Sequence, residues 1–294
     1  MDLRTIEWSP FAVLCFKAVQ CFYKLRLSSY LKEHDLLSEE QNGFRKNRSC
    51  EDHVFTLNSV IRNNLNVIAS FIDLKKAFDF VDRDMLLYKM LLNNIDGKLY
   101  NSIKSLYVQT TASIRINNKM TDWCLCNSGV KQGDNLLPTL FSIFIDDLVD
   151  EINEYGLGVN IGDSKWSILL YADDIVLVAL SEADMQNMLN KLHDWCKRWR
   201  VLIHTDKSTI VHFRAPRKKR SESQFRIGGN ILQIMDKNKY LGVTFSEKKD
   251  YTLNAGNFAA AGGRALGAII SKIHSLNEFG IKTYGKLYSA ALCL

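Results

Sequence analysis

Apolar residues fall into runs whose period switches between that of a helix and that of a strand. Residues 10–32 are apolar and predict a helix, and His53 to Asn63 predict a second. Val67 to Ile72 is a short run rich in β-branched residues. It predicts a buried strand ending at Asp73. Asp84 to Leu92 follows as a helix. Ile114 to Ile116 and Trp123 to Cys126 alternate apolar with polar around Asn117-Asn118, a hairpin signal. From Leu136 to Ile152 apolar residues recur about every 3.6 positions, which predicts one helix with one buried face. Trp166 to Tyr171 and Ile175 to Leu180 are apolar runs separated by Ala172-Asp173-Asp174, a tight hairpin with two acids at its tip. Met185 to Trp199 has helical spacing. Leu202 to Ile203, Thr209 to Phe213 and Tyr240 to Phe245 predict further strands. After Asp250 the chain is rich in Ala and Gly and predicted helical to Leu294. It stops in mid-pattern, so a longer protein is expected. This order predicts an α+β fold, an antiparallel sheet with helices packed on one face.

Composition narrows the class. The 294 residues are 47% hydrophobic and 24% charged, as in globular chains with a sizeable core. Only 3 prolines exclude a proline-rich linker protein. The apolar stretch Phe11 to Tyr23 is broken by Lys17 and Gln20, and it is shorter than the roughly 18 residues a membrane span needs. The Met-Asp-Leu-Arg start is not that of a signal peptide. Seven cysteines at irregular spacing suit reduced thiols. A soluble, intracellular chain with no membrane contact is expected. The net charge of +6 is compatible with a polyanionic partner but does not require one. Arg214 to Arg220 is a basic cluster that suits a nucleic-acid backbone, a nuclear address or a solvated loop. Cys124-x-Cys126 and His193-x-x-Cys196 are each half of a zinc pattern. Neither has a spaced second half, so both are assigned to packing.

Three acids stand out by position. Asp73 follows a buried strand, and Asp173 and Asp174 lie between two apolar runs. Carboxylates beside an apolar sheet are costly unless a cation neutralises them. Three converging at strand ends would suit Mg²⁺, which binds one or two carboxylates plus substrate phosphates. The Asp-Asp pair alone would equally suit an ordinary polar turn.

The surrounding strings carry a resemblance. Tyr171-Ala-Asp-Asp resembles the catalytic motif of reverse transcriptases. In order, the chain also holds Gln41-Asn-Gly-Phe-Arg-Lys-Asn-Arg-Ser, Phe71-Ile-Asp-Leu-Lys-Lys-Ala-Phe-Asp-Phe-Val, Gly129-Val-Lys-Gln-Gly-Asp-Asn-Leu-Leu-Pro-Thr-Leu-Phe, Thr205-Asp-Lys-Ser and Tyr240-Leu-Gly-Val. The similarity covers residues 41–246 best and is to the non-LTR retrotransposon type. It implies right-hand polymerase fingers and palm over 1–250, with 251–294 starting an incomplete helical thumb or connector. It implies RNA-directed DNA synthesis by a two-metal mechanism. The partners would be an RNA template, a DNA primer and deoxynucleoside triphosphates, and the cofactor two Mg²⁺ (or Mn²⁺) ions.

By the same resemblance Asp73, Asp173 and Asp174 match the metal triad, and Lys207 a lysine at the leaving pyrophosphate. Phe78 matches the aromatic under the nucleotide sugar, where a ring would clash with a ribose 2′-OH. Gln132 and Gly133 match nucleotide-binding positions. Tyr240, Leu241 and Gly242 match the hairpin gripping the primer, and Gln41, Gly43, Phe44 and Arg45 the fingers and template segment. The chain departs from the family's pattern in two places. Leu137 stands where relatives carry Ser, and Ser9 where a fingers arginine contacts triphosphate. Two alternatives stay open: a decayed nucleic-acid-binding fragment without activity, and an intron-encoded type of reverse transcriptase.

Overall fold

The computed structural model describes residues 10–275 apart from 109, 114, 118, 127 and 131–133. Helix α1 (Pro10–Glu33) is followed by α2 (Cys50–Asn63), strand β1 (Asn66–Asp73), α3 (Arg83–Leu92) and α4 (Gly97–Tyr107). Four two-residue strands come next: β2 (Thr111–Ala112), β3 (Arg115–Ile116), β4 (Lys119–Met120) and β5 (Cys124–Leu125). Then follow α5 (Leu137–Ile145), α6 (Asp147–Asn153), β6 (Val159–Ile161), β7 (Ser164–Trp166), β8 (Ile168–Tyr171), β9 (Asp174–Ala179) and α7 (Glu182–Arg198). The chain continues through β10 (Thr209–Arg214), β11 (Arg226–Ile227), β12 (Asn230–Ile231), β13 (Gln233–Met235), β14 (Lys237–Tyr240), β15 (Val243–Ser246) and α8 (Thr252–Ser275).

Five strands form the central sheet in the order β13-β10-β1-β9-β8. Its pairs are antiparallel except β10 with β13, which is parallel. β1 is the middle strand, and Val67 to Ile72 are all buried, as a strand covered on both faces must be. Alternation divides its residues between two cores. Ile68 and Ile72 face the main helical layer with Leu140, Phe144, Leu189 and Trp195. Val67, Ala69 and Phe71 face a smaller core closed by Leu57 and Ile61 of α2 and by Tyr240 and Phe245. The smaller core thus covers the second face with one helix and one hairpin.

Inside the helical layer, Lys89 is 2% exposed. Its ammonium bonds the Phe144 carbonyl and the Asp147 carboxylate, and it lies over the rings of Phe144, Trp195 and Trp199 at 4.7, 4.4 and 3.9 Å. Burial lowers its pKa to about 8 against the pull of Asp147.

Several expectations need correction. The helix over 136–152 is two helices that break at Asp146. There the carboxylate turns inward and accepts hydrogen bonds from the Ser38 amide at 3.1 Å and hydroxyl at 3.0 Å. The run Tyr240 to Phe245 is not one strand: it holds the turn and second strand of the hairpin β14 with β15, the hairpin that the resemblance implied at Tyr240-Leu241-Gly242. The run at 166–171 divides at Ser167, whose buried hydroxyl bonds Asn153. Across Asn117, β3 pairs with β4, whereas Cys124 and Leu125 pair back with β2. Leu202-Ile203 makes only a single bridge, Ile203 to Leu74. Among the described residues no helix is long and apolar enough to cross a membrane.

Candidate active site

Strand register brings the acids together. Asp73 is the partner of Asp174 across β1–β9, and Tyr171 is the partner of Asp174 across β8–β9. Directly opposite residues have Cβ atoms about 4.5–5.5 Å apart and share one face of the sheet. That face also carries Phe71 and Val176 of the smaller core. Ala172 and Asp173 form the turn between the strands, with Ala172 in the left-handed region at φ 56°. Burial raises the Asp173 carboxyl above its ordinary range, and the charge of Asp73 adds to it. Burial pushes Asp174 up to about 6, helped by Asp173 and then Asp73. The three carboxylates therefore feel one another. Among the described residues, however, no set of three His, Cys, Asp or Glu side chains is arranged as a complete ligand group.

Asp73 is tied to the segment that carries Lys207. Its amide donates to Ser208 Oγ at 3.1 Å, and its carbonyl accepts from the His204 amide at 2.8 Å. Lys207 is exposed beside this anchor. A cleft of ≈ 110 Å³ gathers Asp73, Asp174, Lys207, Asn238, Lys239 and Tyr240. Sequence reasoning missed Asn238 and Lys239, although both adjoin the Tyr240 block.

The Gln41–Arg45 segment lies along the outer edge of β8. The Asn42 amide donates to the Leu170 carbonyl at 3.0 Å, and the Leu170 amide to the Glu40 carbonyl at 2.9 Å. Gln41 is fully buried, and its Oε1 accepts from the Gly43 amide at 2.9 Å. A Cβ on Gly43 would stand 2.2 Å from the Ala172 nitrogen, so only glycine lets this loop rest on the acidic turn. Arg45 turns back on its own segment, donating to Ser38 O at 2.6 Å and Gln41 O at 3.2 Å. Phe44 is exposed with φ 61°, its ring edge-on to Phe78 at 6.4 Å.

Phe78 is half-buried and packs on Phe141 at 4.7 Å. Its carbonyl accepts from the Val130 amide at 2.9 Å. Arg83 grips the approach to this segment, donating to the carbonyls of Cys126, Gly129, Tyr107 and Ser128. Gln132 and Gly133 lie outside the described residues, as does Ser9. Leu137 is buried as the first residue of α5.

Tyr240 closes the site from below. It is buried, its ring lies 5.8 Å from Phe71, and its hydroxyl is 3.0 Å from His53 Nδ1. Leu241 and Gly242, at φ 45° and 84°, make the turn of the β14–β15 hairpin. Nothing in the sequence singled out His53, one histidine in an amphipathic helix.

Of the two cysteine motifs, His193-x-x-Cys196 resolves into packing, whereas Cys124 is exposed and Cys126 only half-buried, so packing does not account for that pair. Cys196 is buried, and burial pushes its thiol up to about 12. His193 packs over Gly228. Glu247 engages both ends of the basic cluster, Arg214 at 2.6 Å and Arg220 at 3.2 Å. Arg217, Lys218 and Lys219 stay exposed.

A mainly antiparallel sheet with acids where its central strand meets a tight hairpin, and a glycine loop resting on that hairpin, is the palm of a right-hand polymerase. The chain belongs to the reverse transcriptase (RNA-dependent DNA polymerase) family, whose model matches residues 9–245. Among curated relatives, a probable RNA-directed DNA polymerase from transposon BS of Drosophila melanogaster is 29% identical over 76% of this chain and 25% of its own length. A Pol polyprotein from the type-1 retrotransposable element R2 of Popillia japonica is 29% identical over 66% of this chain and 33% of its own. The chain thus spans a quarter to a third of the length of these relatives. They are retrotransposon polymerases of the non-LTR type. Among solved structures, telomerase from Candida tropicalis superposes with a TM-score of 0.57 at 13% identity, covering 94% of this chain and 45% of that one. Telomerase from Candida albicans gives 0.53 at 11% identity, over 81% and 37%.

Proposed function

We propose that this chain is the fingers and palm of an RNA-directed DNA polymerase of a non-LTR retrotransposon. It would extend a DNA primer on an RNA template with deoxynucleoside triphosphates. The observation that carries this is the register of Asp73 on Asp174, with Asp173 in the adjoining turn and all three carboxyls within electrostatic reach.

All-oxygen donors that repel one another fit Mg²⁺ or Mn²⁺, and Mg²⁺ commonly completes its shell with substrate phosphates. Asp73, Asp173 and Asp174 would hold two such ions. Bound there, the ions would supply an activated primer hydroxyl and charge stabilisation at the leaving pyrophosphate. The chain's own side chains do the rest. Lys207, on the rim of the cleft, offers a positive charge to the pyrophosphate. Tyr240, Leu241 and Gly242 present a turn against which the primer end rests, and Lys239 faces its backbone phosphate. Phe78, backed by Phe141, forms the floor under the sugar and leaves room for a 2′-hydrogen only. Gln41 and Gly43 seat the fingers loop on the acidic turn, with Phe44 exposed above Phe78 and Arg45 bracing the loop. Gln132 and Gly133 belong to the nucleotide pocket by their motif. Helix α8 begins the thumb, joined to β15 by the Asn254 side chain bridging Thr244 N and O at 2.8 and 2.7 Å.

Primer extension on an RNA template with Mg²⁺ or Mn²⁺ tests this. Asp173→Asn should cut extension by about 10³-fold, several kcal/mol of barrier, while primer–template binding persists. Extension undiminished by Asp173→Asn would overturn the site. Binding without extension by the unmodified chain would leave a nucleic-acid-binding fragment.

A further inference from the structure

One buried histidine joins the parts of the site that motifs describe separately. His53 is 1% exposed in the first turns of α2, whose start is fixed by a Ser49–Asp52 capping box. Its Nδ1 lies 3.0 Å from the Tyr240 hydroxyl. Its ring stands edge-on to Tyr171 at 5.7 Å. Burial holds the Tyr240 phenol well above its ordinary range, so it keeps its proton and donates. The imidazole then accepts at Nδ1 and carries its hydrogen at Nε2. Nε2 has no hydrogen-bond partner among the described residues, and the Glu40 backbone favours the protonated ring. Burial lowers the His53 pKa to about 4, so the ring is neutral and accepting at ordinary pH.

These contacts reach three segments. Glu40 belongs to the fingers loop, which is bonded to Leu170 and rests through Gly43 on Ala172. Tyr171 precedes the acidic turn and pairs with Asp174. Tyr240 leads directly into the Leu241–Gly242 turn. We propose that His53 is a positioning residue that locks the acidic turn and the Leu241–Gly242 turn into one unit, so that a primer end held by the second meets the acids carried by the first. This rests on the polymerase function proposed above for the same site.

Four variants test it: His53→Phe, Tyr240→Phe, the double variant, and His53→Gln, which keeps one acceptor and one donor. Two measurements are made on each. The first is single-nucleotide addition at saturating and limiting nucleotide. The second is amide hydrogen exchange at residues 172–174 and 241–243 without substrate. His53→Phe should lower kcat about tenfold and leave the nucleotide KM within about twofold, because it strands a buried hydroxyl and loosens alignment. Tyr240→Phe should act similarly, the double variant no more severely than the worse single one, and His53→Gln should recover most of the loss. Exchange should quicken about tenfold at both turns in His53→Phe and return towards normal in His53→Gln. Faster exchange at one turn alone, or multiplying effects in the double variant, would overturn the lock. So would a lower melting temperature with both turns unchanged. An unmodified chain that never extends a primer, with exchange still quickened at both turns in His53→Phe, would overturn the polymerase function and uphold the lock.

Discussion

Gly43 shows how one hydrogen in place of a methyl group governs a site. Its backbone rests on Ala172, next to Asp173, at a distance no side chain tolerates. Both sides of the contact are main chain, so neither can swing away. Gly43→Ala should push the acidic turn out of place. A misplacement near 1 Å costs about 10²-fold in rate, against about 1–3 kcal/mol of stability for overpacking. Extension assays beside thermal melts would show activity falling far more than stability. Near-normal extension would mean that the turn does not depend on this contact. The motif alone marked Gly43 as a family position; the reason for glycine came from a segment more than a hundred residues away.

At the scale of elements, the break between α5 and α6 stores a pH dependence. Burial pushes the Asp146 carboxyl up to about 6 from an ordinary 3.8, against the opposing bonds from Ser38. A raised folded-state pKa means the fold prefers the protonated acid. Asp146 therefore weighs least on stability below about pH 4, and its cost grows as pH rises through 6. Asp146→Asn keeps an acceptor for the Ser38 amide and removes the charge. It should stabilise the protein by about 1–3 kcal/mol at pH 7.5, with the gain shrinking towards pH 4.5, in paired urea titrations. A gain equal at both pH values would place the effect elsewhere. The break itself was not legible, because Leu140, Phe144, Leu148 and Ile152 keep helical spacing across it. Legible elements include those with an unbroken apolar run, β1, β9 and β10, and those with one buried helical face, α2 and α7. The β14–β15 turn was legible from the resemblance of Tyr240-Leu-Gly to a hairpin but not from periodicity, since it lies inside an apolar string and Leu241 is no usual turn residue. Strands of two or three residues, such as β6, β7 and β11 to β13, are too short to show any period. Of the site, the acids and the Tyr240 block were legible from their motifs. His53 and Lys239 were not, because a single polar residue in an amphipathic element carries no pattern.

At the scale of the molecule, charge is less available than composition suggests. Between Lys197 and Arg220 there are nine basic residues and one acid. Ion pairs take up four of them: Arg198 with Glu151, Arg200 with Asp82 at 2.7 Å, and Arg214 and Arg220 with Glu247. Lys197, Lys207, Arg217, Lys218 and Lys219 are exposed, and the last three are contiguous and so able to meet a phosphate backbone together. Replacing all three with Gln should weaken nucleic-acid binding and reduce the logarithmic salt slope by about 2–3. An unchanged slope in a salt titration would make this loop merely solvated. The central position of β1 bears on how the molecule is made. Both its neighbours, β9 and β10, lie about a hundred residues or more further along the chain. A ribosome adding about 5–20 residues per second takes about 5–20 s to deliver the first of them. For that interval Val67 to Ile72, apart from Ser70 wholly apolar, has both hydrogen-bonding edges open, so the nascent chain passes through a stage in which a holding chaperone has a ready target.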